Sequence, residues 1–146
     1  MVSIKEIDQK EFELCYEIDS GTISLWTKKQ WQSELNKKGT KVVAILCKEK
    51  IIGIYVVQII IDEAQINYFS IKQKFRRKGY GTKLMNYLIN ECRKLNIKKL
   101  LLEVSETNSI AENFYCKFNF LTTGRRKNYY KEGSDAVLKE KNLLTK

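Results

Sequence analysis

The chain has no histidine and no proline, only 7 glycines and 4 cysteines in 146 residues, and few acids, 17 against 27 lysines and arginines. Each shortage excludes something. Without histidine neither a Ser-His-Asp nor a Cys-His mechanism can be assembled, so acid–base chemistry falls to carboxylates, tyrosines, lysines, water or the substrate itself. The cysteines, Cys15, Cys47, Cys92 and Cys116, form no C-x-x-C pair and lie in apolar surroundings. With no histidine to join them they support neither a zinc site nor a disulfide framework, and free buried thiols are expected. No metal is expected. The longest apolar run, 51–61, is interrupted by Gln58 and falls short of the ~20 residues that a membrane-spanning helix needs. The first six residues, Met1 to Glu6, lack a signal-peptide core, and a soluble, cytoplasmic protein is expected.

The deficit of acid leaves a net charge of +10. That suits an anionic ligand or a ribonucleoprotein partner. The lysines, however, are spread along the whole chain in a composition rich in Ile, Lys and Asn, which a genome-wide bias also produces. No basic run is interleaved with aromatics as a stacking platform would be, which points away from direct nucleic-acid binding.

Length and a hydrophobic fraction of 43% fit one folded domain, 1–146. Alternation over 2–7 predicts a strand. Asp8 is a candidate N-cap for a helix with the stripe Phe12, Cys15, Tyr16, Ile18, ending near Ser20-Gly21. Thr27 is a candidate cap for a second helix facing Trp31 and Leu35 inward and ending at Lys38-Gly39. The β-rich runs 40–47 and 50–61 make a hairpin through Lys48-Glu49, and 64–71 continues the meander. A long helix reaches Leu95. Strand 98–104 puts Leu100, Leu102 and Val104 on one face and Leu101 and Glu103 on the other. Thr107 or Asn108 caps a helix with the stripe Ile110, Phe114, Phe118, which Asn119 ends in a left-handed conformation. Segments 120–123 and 136–139 form a last pair, joined by a long polar connection holding Arg125-Arg126-Lys127-Asn128-Tyr129-Tyr130.

Between the strand ending Tyr68-Phe69-Ser70-Ile71 and the stripe Leu84, Met85, Leu88, Ile89, Cys92 lies Arg76-Arg77-Lys78-Gly79-Tyr80-Gly81. A strand, a basic glycine turn and a helix start make an anion cradle: glycines let the backbone approach a ligand, and the first helical amides point at it. The ending is not Gly-Lys-Ser/Thr, and the third glycine of a dinucleotide fingerprint is missing. Taken alone, the hexapeptide fits a solvated basic loop equally well.

Arg76, Gly79 and Gly81 fill the pattern Arg/Gln-x-x-Gly-x-Gly/Ala, and with the element order β, α, α, β, β, β, α, β, α, β, β the chain resembles the GCN5-related N-acetyltransferases. The resemblance implies an α/β (α+β) fold with a mixed, mostly antiparallel sheet splayed between its fourth and fifth strands, helices on both faces, and acetyl-CoA in the wedge. From Asp62 onward the chain further resembles the ribosomal-protein-alanine N-acetyltransferases. The matching residues are Asp62-Glu63-Ala64, Leu102-Glu103-Val104, Asn108 with Ala111 and Tyr115, and Arg126-Lys127-Asn128-Tyr129-Tyr130 with Asp135-Ala136. The first sixty residues match only through the helix pattern and Trp26. Lys72-Gln73-Lys74 stands where that family often has Asp-Pro, and Asn119 where it has Gly.

The resemblance implies that Phe69, Ser70 and Ile71 line the cofactor, with backbone groups of Phe69 and Ile71 holding the acetyl carbonyl and pantetheine arm. The turn from Arg76 would take the pyrophosphate on the amides of Arg77, Lys78, Gly79, Tyr80, Gly81 and Thr82. Asn108 would bond the pantetheine, or only cap its helix. Glu103 would accept the proton of an α-amine, whose pKa is ~8; by its residues alone it also reads as a surface glutamate. Tyr115 would border the cofactor and protonate the departing thiolate, or simply fill space at a helix end. The Tyr129-Tyr130 loop would shape the peptide entrance. The implied acceptor is a protein N-terminus, that of ribosomal protein S18. A lysine or small-molecule amine, or a non-catalytic basic ribosome- or nucleic-acid-binding module, are the alternatives.

Overall fold

The computed structural model describes residues 1–144; the last two positions of the domain expected over 1–146 lie outside the described residues. The elements follow the expected order: β1 (Val2–Ile7), α1 (Phe12–Ser20), α2 (Lys28–Leu35), β2 (Thr40–Cys47), β3 (Lys50–Ile60), β4 (Glu63–Ile71), α3 (Tyr80–Lys94), β5 (Lys99–Ser105), α4 (Ser109–Lys117), β6 (Leu121–Arg126) and β7 (Ala136–Asn142). A 3-10 turn, Gln73–Phe75, precedes α3. The strands form one sheet in the order β1-β2-β3-β4-β5-β7-β6. Only β4 and β5 pair parallel; every other neighbour is antiparallel.

Helices cover both faces. Leu84, Met85, Leu88, Ile89 and Cys92 of α3 share one core with Ile66, Leu100, Leu102, Val104 and Val137. On the opposite face Cys15, Trp31 and Leu35 pack on Val42, Ala44, Ile54, Val56 and Tyr68. Because β2 and β3 are covered twice, they read as continuous apolar runs instead of alternating. No helix among the described residues is long and apolar enough to cross a membrane.

Several local expectations shift. Asp8 does not cap α1: its Oδ1 accepts from Lys10 N at 2.8 Å, and the helix begins after Glu11 without a side-chain cap. Thr27 and Gln30 form a full capping box on α2, which ends at Leu35, short of Lys38-Gly39. In α4, Ile110 is exposed and Tyr115 is buried. With Asn108 as cap, the helix phase turns Ala111, Phe114, Tyr115 and Phe118 toward the sheet and Ile110 away from it. Strand β6 extends through Arg125 and Arg126, which the sequence suggested for the connecting loop. Cys15 and Cys92 are buried thiols as expected, but Cys116 is exposed and Cys47 only half-buried.

Two features of β4 position the site. Its pairing with β5 runs from Glu63↔Lys99 to Ile66↔Leu102 and stops there, although β4 continues to Ile71 and β5 to Ser105. Against β3 its register jumps, Val57 facing Ile66 and Val56 facing Tyr68, so that Asn67 is a bulged extra residue. The bulge exchanges the faces. Ala64 and Ile66 point to the α3 core, and after Asn67 it is Phe69 and Ile71 that do so, while Tyr68 joins the core under α1 and α2.

Candidate active site

Beyond Ile66 the β5-facing edge of β4 has no ladder partner, so a wedge opens between the two strands with a wall on each face of the sheet. On the α3 side the wall is aromatic. Phe69 stacks on Phe114 (centroids 5.5 Å apart) and on Tyr115 (6.5 Å), and Tyr115 meets Phe120 at 5.6 Å. Gly81 adjoins this cluster: a Cβ there would sit 3.2 Å from Phe114 Cε1 and 3.7 Å from Ile71 Cγ1.

At the end of the wedge the turn has the conformation of an anion nest. Arg77 has φ 61° and Gly79 φ 86°, and α3 starts on Gly79 without a side-chain cap. Among the described residues, none of the amides of residues 77–82 donates to a protein acceptor; the helical ladder begins at Lys83 N, which reaches Gly79 O at 3.1 Å. A diphosphate fits such a set of convergent donors at a helix N-terminus. Arg76 has a different task from the amides. Its Nε donates to Ile71 O at 2.8 Å, tying the turn to the end of β4. The side chain of Tyr80 packs edge-on against Phe75, ring centroids 6.2 Å apart.

The remaining expected residues divide between the faces. Ser70 points away from Phe69 and Ile71, its Oγ donating to Tyr68 Oη at 3.0 Å. Asn108 caps α4, Oδ1 accepting from Ala111 N at 3.1 Å, which leaves its amide group directed elsewhere. The ring of Tyr115 is buried, and burial pushes its phenol up to about 12. Its oxygen has no protein partner among the described residues, yet it is not sealed from solvent.

Glu103 lies on the other face, opposite in alternation to Leu102 and Val104. Its Oε1 is bound by Arg126 Nε at 2.9 Å, and no described residue engages Oε2. The Arg126 guanidinium stands 5.7 Å over the ring of Tyr129, and Tyr129 meets Tyr130 edge-on at 5.1 Å. Burial, and then the Glu103 charge, raise the phenol of Tyr130. The loop carrying both tyrosines is strapped down: Asp135 Oδ1 accepts from Asn128 N at 3.0 Å, and Arg125 bridges Asp135 and Glu106.

The family model for the acetyltransferase (GNAT) family matches residues 1–120. The chain belongs to this family. Acetyl-CoA is the family's acetyl donor, and the nest and aromatic wall described above are of the kind that receives it. Among curated GNAT relatives, the ribosomal protein bS18-alanine N-acetyltransferase of Haemophilus influenzae is 33% identical over 140 residues, covering 92% of this chain and 91% of that one. The enzyme of the same name from Haemophilus ducreyi is 32% identical over 130 residues, covering 87% and 88%. The crystal structure of the ribosomal-protein-S18-alanine N-acetyltransferase from Escherichia coli superposes with a TM-score of 0.90 at 24% identity, over 98% of this chain and 94% of that one. The protein is thus an acetyltransferase of the GNAT fold.

Three site features escape the sequence pattern: the bulge at Asn67, the Glu103–Arg126 pair, and a buried carboxylate, Asp19, under the α1–α2 connection. Only Asp19 leaves a sequence signal, an acid four residues after Cys15 on the buried stripe of α1.

Proposed function

We propose that this enzyme acetylates the N-terminal α-amine of a protein, that of ribosomal protein bS18, by direct attack within a ternary complex. The observation that carries the reading is the two-sided wedge, with an anion nest and aromatic wall on one face and a carboxylate beside a tyrosine loop on the other. When bound, acetyl-CoA supplies the thioester carbonyl that the amine attacks. The amides of residues 77–82 hold its diphosphate, and the unpaired edge of Phe69 to Ile71 provides donors that polarise the carbonyl. Glu103 accepts the proton of the amine on Oε2, directly or through water, while Arg126 holds Oε1 and fixes the carboxylate.

Tyr115 faces the leaving sulfur. Burial keeps its phenol protonated, and its hydroxyl supplies a proton to the departing thiolate. The acceptor assignment follows the curated relatives, which align over about nine tenths of both chains.

The test is acetyl-CoA turnover on a panel: a peptide with the bS18 N-terminus, an N-blocked lysine peptide, and a polyamine. Preferential acetylation of the first is expected. Turnover confined to lysine or polyamine moves the acceptor, and a chain without thermal stabilisation by CoA loses the enzyme reading; saturating ligand at 100 times Kd adds about 2.7 kcal/mol.

A further inference from the structure

Asp19 is fully buried at the C-terminal end of α1, and no cation pairs with it among the described residues. Burial leaves both of its oxygens dependent on protein donors, and the structure supplies four. Oδ1 accepts from Leu25 N and Tyr68 Oη, each at 2.9 Å. Oδ2 accepts from Trp26 N at 3.0 Å and Trp31 Nε1 at 2.9 Å. Its backbone carbonyl takes Thr22 N at 2.9 Å and Ser24 N at 2.7 Å. The whole α1–α2 connection is wound around this one residue. Ile23 and Leu25 stay exposed on it, two large apolar side chains that the fold leaves outside.

The network also reaches the wedge. Tyr68 receives Ser70 Oγ while donating to Asp19, and burial keeps its phenol protonated well above the ordinary range. With Asn67 bulged out, Tyr68 is the next register position of β4 after Ile66, as Glu103 is the next of β5 after Leu102. Both point to the α1–α2 side of the sheet, so they flank the wedge from the same face. The connection 21–27 is tied to Tyr68 of β4 through Asp19, and the Tyr129-Tyr130 loop to Glu103 of β5 through Arg126.

We propose that Asp19 is a positioning residue for the acceptor: it fixes the connection so that Ile23 and Leu25 make apolar contact with the residues just behind the α-amine, and it holds Tyr68 and Ser70 opposite Glu103. A buried unpaired carboxylate is a poor device for stability alone, since apolar replacements of buried charge are often neutral or stabilising. It is a good device for fixing a loop, because four convergent donors allow one arrangement.

The inference rests on the amine-acceptor reading above and is tested on whichever amine of the panel the wild-type chain acetylates. Asp19→Asn sets an amide donor against the donors of the network; its acceptor KM rises about tenfold or more, while KM for acetyl-CoA and the thermal shift by CoA stay within about twofold. Tyr68→Phe removes one bond and Leu25→Ala only surface, so both fold even if Asp19→Asn does not, and both raise acceptor KM with kcat kept. Acceptor KM unchanged in these two, or kcat and both KM values moving together, overturns the proposal. A wild-type chain that acetylates no amine on the panel instead removes the acceptor reading, and this inference with it.

Discussion

At the scale of single residues, the pairing of Glu103 with Arg126 changes what the carboxylate is good for. The pair is partly exposed, and such pairs add about 0–1 kcal/mol, so it does little for stability. What it does is orient. One oxygen is held by the guanidinium and no described residue engages the other, an arrangement that suits the proposed proton acceptor. Glu103→Gln keeps the shape and loses the basicity: kcat falls about a hundredfold or more, the range of general-base removal, while CoA still raises the melting temperature. Steady-state kinetics beside a thermal-shift titration check this, and unchanged kcat across the pH range would falsify the role. The sequence made Glu103 visible through its Leu-Glu-Val setting. It could not show Arg126, which lies 23 positions away on β6 and reaches Glu103 across the intervening β7.

At the scale of elements, the start of α3 shows two glycines required for different reasons. A Cβ on Gly79 would touch nothing within 4 Å, so the demand there is the left-handed φ of 86°. At Gly81 the backbone is ordinary and the demand is space, since Phe114 lies against it. Gly79→Ala therefore costs about 1–2 kcal/mol, the penalty of a left-handed L-residue, and weakens CoA binding because the nest relaxes. Urea unfolding and CoA titration of the same variant measure both. Spacing alone pointed to the two glycines, but not to this division. Element order and most boundaries were legible because each apolar run has one period. The bulge was not, because Ala64, Ile66 and Tyr68 alternate as if they shared a face. Ile110 misled for a similar reason, fitting a stripe whose phase only the Asn108 cap determines.

At the scale of the whole molecule, burial of acids that are neutral when protonated sets the alkaline limit. Burial pushes the Cys92 thiol up to about 11, and Cys15 and Tyr115 up to about 12; Tyr55 and Tyr68 are raised further still. These groups ionise later in the folded chain than in the unfolded one. Their contribution is complete below the unfolded pKa values, ~8.5 for thiols and ~10 for phenols, and it declines as pH rises through the folded ones. Above pH ~10 the three tyrosines together remove roughly 4 kcal/mol of stability per pH unit, enough to unfold an ordinary domain before pH ~12. Denaturant midpoints falling gently from pH ~8.5 and steeply from pH ~10 are expected; a flat profile would mean that these side chains reach water in the native state.

Asn67 acts on β4 as a frameshift acts on a message. Every side chain after it is read on the side opposite to the one that simple alternation would assign, and so the strand ends with Phe69 on the α3 side of the sheet and Tyr68 on the α1–α2 side. The number of residues between Ile66 and Ile71 thus decides which side chains line which side of the wedge. The loop between β6 and β7 can change length at the cost of its own contacts, but one residue gained or lost at Asn67 would exchange the side chains that line the two faces of the wedge.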